Sequence, residues 1–192
     1  MKCLVLLTYI VIASAINSEA AVIDFENFAP VGNLVNINPQ FPYAEKGFTL
    51  TPSNSASAVF DPLAISKFPG DNTAWFGFAA GNTITLTGPS PFDLDGALIG
   101  PSTIGSGITS LMIIGHVVDG SLLNVTFSNL TTATQELIGF DNLVSATFFA
   151  TTDSGMDNIS VTLVPEPVSL FLIGFGLLIP CAWLQKLSSK RL

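Results

Sequence analysis

Thr83-Ile84-Thr85-Leu86-Thr87 and Leu123-Asn124-Val125-Thr126-Phe127 are the two stretches whose reading decides the fold. Each alternates strictly between polar and apolar residues. Successive side chains of a strand point to opposite faces, so this period of two describes a half-buried β-strand. Working outward, short runs rich in Val, Ile, Thr and Phe recur between clusters of Gly, Pro, Asn, Asp and Ser. Predicted strands are Ala21–Asn27, Gly47–Thr51, Ala56–Phe60, Ala74–Phe78, Thr83–Leu86, Ala97–Ile99, Thr109–Val118, Leu122–Ser128, Gln135–Phe140, Ser145–Thr151 and Ile159–Val164. Asp119-Gly120 between two such runs is a hairpin signal. Residues 33–42 and 52–72 read as loops, and Pro89–Asp95, with two prolines, reads as a turn-rich link. No soluble segment sustains a period of 3.6, so the expectation is all-β: a single β-sandwich or jelly-roll domain.

That domain is bounded by two segments of another kind. At the N-terminus, Lys2 precedes an apolar stretch from Leu4 to Ile16, and Ser18-Glu19-Ala20 places small residues before Ala21. Residues 1–20 therefore read as a secretory signal peptide, with Ala13-Ser14-Ala15 as a second cleavage position. At the C-terminus, residues 165–192 open with Pro165-Glu166-Pro167. The uncharged apolar run Val168–Leu184 follows, and then a tail, residues 185–192, with Lys186, Lys190 and Arg191. As a helix the run spans about 25 Å, close to the ~30 Å of a hydrocarbon core. The run lacks a polar face, which separates it from a core helix. Basic residues beyond it belong on the cytoplasmic side. A C-terminal transmembrane helix is the physical reading.

This tail resembles the sorting signal of the PEP-CTERM protein family, with Pro165, Glu166 and Pro167 as the motif. The resemblance implies a partner, an exosortase-type membrane protease that removes the tail. It also implies a route: export, an inner-membrane anchored precursor, then the cell surface or the extracellular space. Members of that family are associated with extracellular polysaccharide and biofilm matrix.

Between Ala21 and Val164 lie about 144 residues, the length of one domain. Cys3 and Cys181 both fall outside them, so the exported part has no disulfide to rely on. The mean hydropathy of +0.58 is raised by the two terminal segments. The domain itself holds two lysines, Lys46 and Lys67, no arginine, and twelve carboxylates. Its net charge is therefore about −10, which argues against nucleic acid and anionic lipid as partners. Neutral sugars, cations and basic partners stay open.

Catalytic chemistry finds little support. His116, the only imidazole in the chain, sits in an apolar strand, and no zinc spacing is present. Asp93 with Asp95, and Asp153 with Asp157, are the carboxylate pairs a glycosidase would need, and spacing alone does not set their separation. The expectation is not an enzyme. Oxygen ligands for a hard cation are plentiful. Asp24-Phe25-Glu26-Asn27 opens the domain and Asp153 to Ile159 closes it. These two ends resemble galactose-binding-like jelly-roll domains of carbohydrate-binding modules. That resemblance implies a structural calcium held by Glu26 and Asp157 with Asp24 beside them, and Asp157-Asn158 as a plain turn is the alternative. For stacking on a sugar, Trp75 and Tyr43 are the candidate aromatics. The leading expectation is an exported structural or carbohydrate-associated binding protein of the cell surface or polysaccharide matrix. The alternative is a secreted polysaccharide-acting hydrolase or adhesin.

Overall fold

The computed structural model describes residues 20–26, 35–37, 42–54, 57–60, 74–102 and 107–164. Residues 1–19 of the expected signal peptide, the expected sorting motif, the apolar run and the basic tail lie outside these, while Ala20 begins the first strand. Residues Ala20–Leu163 form one compact unit. Among the described residues no helix is long and apolar enough to cross a membrane.

Every described element is a strand. In chain order they are β1 (Ala20–Ile23), β2 (Val35–Ile37), β3 (Tyr43–Glu45), β4 (Phe48–Pro52), β5 (Ser57–Phe60) and β6 (Trp75–Phe78). There follow β7 (Thr83–Pro101), β8 (Thr109–Val117), β9 (Leu122–Leu130), β10 (Thr134–Ala150) and β11 (Ser154–Leu163). Hydrogen bonding links them in the order β2-β5-β6-β11-β7-β10-β8-β9, with β1 on β11 and the β3–β4 hairpin joined to β7. All pairings are antiparallel. The fold is all-β, consistent with a β-sandwich or jelly roll.

Two strands run longer than the sequence pattern indicates. β7 has 19 residues and β10 has 17, and each serves both halves of the structure. The first half of β7 pairs with β4 and with the end of β10. Its second half pairs with β11 and with the beginning of β10. The Pro89–Asp95 link is thus strand rather than turn. Between Thr87 and Phe92 the register slips against Ser145 and Leu143, so several residues of β7 face one of β10. Pro89 and Pro91 sit in this irregular stretch, where a missing N–H breaks no regular ladder. The loop predicted at residues 33–42 likewise contains a strand, β2.

The alternation does what the pattern predicts. Ile84 and Leu86 are buried, while Thr83 and Thr85 on the opposite face are only partly so. The core gathers aliphatic and aromatic side chains from β1, β3, β4, β6, β7, β8, β10 and β11. Phe48 and Phe92 meet edge to face with centroids 5.2 Å apart. The β8–β9 turn is built as the sequence indicates. Val117 N–H donates to Ser121 O, Gly120 N–H donates to Val117 O, and Gly120 has φ +86°. Asp119 Oδ1 accepts the Ser121 N–H at 2.8 Å.

Gly100 on β7 marks where β10 begins to cross. A Cβ there would stand 2.7 Å from Thr132 O and 2.8 Å from Ala133 Cα, both backbone atoms that cannot rotate away. Gly100→Ala is expected to destabilise by about 1–3 kcal/mol, the usual cost of overpacking. A thermal melt should show a fall of several degrees. An unchanged melt would mean that this crossing is looser than its geometry.

Candidate functional site

The register brings a broad, uncharged face together on one side of β4, β7, β10, β8 and β9. Thr51 lies opposite Thr85, Thr85 opposite Thr147, Thr147 opposite Ile114 and Ile114 opposite Asn124. The next row runs Thr49, Thr87, Ser145, His116 and Leu122. A third holds Thr83, Phe149, Met112 and Thr126. All of these are partly or fully exposed, while their neighbours Leu86, Ala146, Phe148 and Ile113 turn into the core. Five strands at about 4.8 Å spacing make this face roughly 19 Å wide. No Asp, Glu, Lys or Arg stands in these rows, although the domain carries twelve carboxylates. Hydroxyls, one amide and the His116 imidazole frame a small apolar centre of Phe149, Met112 and Ile114. β-Branched threonines suit a pleated surface, which explains why strands so exposed still form.

A second cluster sits where β1 ends against the β3–β4 hairpin. Lys46 and Gly47 both have positive φ, +49° and +82°, and make the two-residue turn of that hairpin. This is the primed geometry that matches strand twist. The turn aims the Lys46 side chain at β1. Its Nζ donates to Val22 O, lies 3.3 Å from Asp24 Oδ2 and 3.2 Å from Glu45 Oε1. Glu45 itself is buried. Its Oε2 accepts the Phe25 N–H at 3.1 Å and the Tyr43 hydroxyl at 2.8 Å. Phe25 is held at φ +58°, and its ring packs on Tyr43 and Phe76 with centroids 5.0 and 5.6 Å apart.

Charge in this cluster is tightly balanced. Burial pushes the Asp24 carboxyl up, but the Glu26 N–H, Glu45 and the Lys46 ammonium together hold it below the usual 3.8. Burial works against the Lys46 charge, and Glu45 and Asp24 outweigh it, so the ammonium keeps its proton above the usual lysine range. Burial first, then the hydrogen bond to Glu45 and the charges of Glu45, Asp24 and Asp157, push the Tyr43 phenol far up.

The residues expected from sequence fall as follows. Tyr43 and Trp75 are 4% and 2% exposed, so neither ring lies on the surface for a sugar to stack on. Tyr43 faces the core, packing on Phe25, whereas Trp75 is buried on the face of β6 opposite to Phe76 and Phe78. Asp24 Oδ1 accepts the Glu26 N–H at 3.3 Å, and Glu26 Oε1 accepts the Ala74 N–H at 2.8 Å. Asp157 is 1% exposed and accepts from the Asn158 N–H at 2.7 Å and the Asn158 amide at 3.2 Å. Asp157-Asn158 is not a turn. It lies inside β11, where Asn158 has φ +47° and three steps of β11 span two of β7, a β-bulge. Asp24, Glu26 and Asp157 thus each serve the local backbone, and among the described residues no three His, Cys, Asp or Glu side chains are placed to share a metal ion. Pro165, Glu166 and Pro167 lie outside the described residues.

Two partners in the cluster are absent from the sequence-based candidates: Glu45 and Lys46. The Lys46-Gly47 pair carries a turn signal in its glycine, but the reach of the lysine depends on β1. The uncharged face was half visible. Thr83, Thr85 and Thr87 alternate in the sequence, whereas their alignment with Thr147 and Phe149 needs the register.

No family model matches the chain, and no curated protein matches it. Several solved structures align with the chain at low identity. A CBM61 structure in complex with β-1,4-galactotriose aligns with a TM-score of 0.41 and 9% identity, covering 73% of this chain and 93% of that one. A DUF4465 family protein from Bacteroides ovatus aligns with a TM-score of 0.43 and 8% identity, covering 77% and 100%. The CBM22-1 xylan-binding domain from Paenibacillus barcinonensis aligns with a TM-score of 0.39 and 7% identity, covering 78% and 97%.

Proposed function

We propose that this is an exported, C-terminally sorted binding protein of the cell surface or extracellular polysaccharide matrix, whose uncharged sheet face contacts neutral glycan. The single observation that carries the reading is that face: threonine, serine and asparagine groups around Phe149, Met112 and Ile114, free of charge in an acidic domain. Sugar hydroxyls exchange hydrogen bonds with side-chain hydroxyls and amides, and the C–H faces of a sugar ring pack on an apolar centre. Charged groups would resist desolvation by such a ligand. The breadth of the face, five strands across, suits a chain-like glycan better than a buried small molecule.

The carboxylates that a hydrolase would use have structural work. Asp93 Oδ1 accepts the Asn142 N–H at 2.8 Å, and Asp95 Oδ2 accepts the Thr162 hydroxyl at 2.9 Å. Asp153 Oδ1 accepts the Ala80 N–H at 2.8 Å. Binding without catalysis is therefore the function proposed.

A glycan-binding screen of the purified full-length chain in detergent tests this, run with and without calcium. Neutral polysaccharides are expected among the ligands. Thr85→Glu places a charge in the middle of the face at an exposed position and should weaken binding at least about tenfold, or 1.4 kcal/mol. Asp141→Asn, away from the face, should leave it unchanged. Binding by the Thr85 variant equal to wild type, or no neutral glycan bound at all, would sink the proposal.

A further inference from the structure

We propose that the ammonium of Lys46 is the resident cation of the β1–β3 junction, engaging Asp24, one of the three carboxylates of the calcium expectation. Three oxygens converge on it, Val22 O, Asp24 Oδ2 and Glu45 Oε1. A lysine ammonium has three N–H donors, so the match is one donor to each oxygen. The remaining oxygens of the same carboxylates are occupied. Asp24 Oδ1 holds the Glu26 N–H, and Glu45 Oε2 holds the Phe25 N–H and the Tyr43 hydroxyl. A calcium ion takes six to eight oxygens at about 2.3–2.6 Å. Building that shell here would require displacing the ammonium and supplying at least three oxygens beyond those that meet it. Asp157 and Glu26, the other expected ligands, are held by Asn158 and Ala74.

The arrangement has a purpose in the fold. Val22 belongs to β1, Asp24 to the chain just after it, and Glu45 and Lys46 to the β3–β4 hairpin. One ammonium therefore ties the first strand of the domain to its first hairpin. Being covalently attached, it does so whatever the external calcium concentration. An external calcium would instead stabilise only in proportion to its occupancy.

Thermal melts of the full-length chain in detergent decide the matter. Wild type is expected to melt at the same temperature in excess EDTA and in excess calcium chloride. Lys46→Met keeps the aliphatic stem and removes the charge, and should lower the melting temperature by several degrees in both. Lys46→Arg should recover part of the loss, because a guanidinium keeps the charge but presents a planar fork rather than three radiating donors. A wild-type melt that falls in EDTA would overturn the proposal in favour of a bound ion. So would a Lys46→Met melt equal to wild type. If Lys46→Met fails to fold, the wild-type comparison still decides.

Discussion

Glu45→Ala is expected to lower the melting temperature by roughly 10 °C, corresponding to about 3 kcal/mol. The side chain of Glu45 is 2% exposed and joins Phe25, Tyr43 and Lys46, among others. Its removal leaves the Phe25 N–H and the Tyr43 hydroxyl without this acceptor in a dry setting. Hydrogen bonds to a charged acceptor are worth about 1.5–3 kcal/mol each. The contribution of Lys46 is smaller, because its side chain is 38% exposed and water screens the pair. Phe25 adds a further cost. It holds a positive φ that bulky residues avoid, at about 1–3 kcal/mol, and the Glu45 bond is part of what keeps it there. Glu45→Gln retains an acceptor oxygen and should lose about half as much. A fall of less than a few degrees in Glu45→Ala would show that the junction does not hold the fold together.

The same cluster sets a pH window. The folded values of Lys46 and Tyr43 are both raised above 10.5 and 10.0 respectively. Their stabilisation is complete below those unfolded values and is lost as pH rises through the folded ones. Asp24 is depressed below 3.8, so its share is present above that value and is lost as pH falls through the folded one. Stability should therefore be flat across neutral pH and decline at both extremes. The alkaline decline should be shallower in Glu45→Ala.

Replacing Pro165, Glu166 and Pro167 with alanines is expected to convert a processed protein into an anchored precursor. The apolar run Val168–Leu184 is untouched by the change, so insertion into the membrane persists. Only the proposed recognition element is lost. Intact-mass analysis of exported material from a host that carries such a protease reads the result. Wild type should lack the residues from Val168 to Leu192, and the variant should keep them. Wild-type protein retaining the full tail in all exported material would remove the sorting proposal and leave a simple membrane anchor. The glycan proposal stands or falls separately, since the sheet face and the tail share no residue.

What the chain determines by itself is local in kind. Alternation in Thr83–Thr87 and Leu123–Phe127 specifies strands and the face each buries, because a period of two has only one geometric meaning. Asp119-Gly120 specifies a hairpin because its glycine accepts a positive φ. Composition sets the charge of the domain and the absence of a disulfide. What the tertiary structure alone decides depends on partners distant in sequence. Prolines 89 and 91 look like a break, yet β7 continues through them because β4, β10 and β11 supply its pairing on either side. Asp157-Asn158 looks like a turn, yet it is a bulge because Leu98 and Gly96 impose the register of β11. Trp75 and Tyr43 look available to a ligand, yet both are buried, Tyr43 in the core and Trp75 on the other face of β6. Lys46 reaches Val22 and Asp24 across more than twenty residues, and Thr51, Thr85, Thr147 and Ile114 form one row from four strands. Strand register is a collective property of all the pairings, since the same alternating pattern is compatible with many alignments until every buried face is satisfied at once.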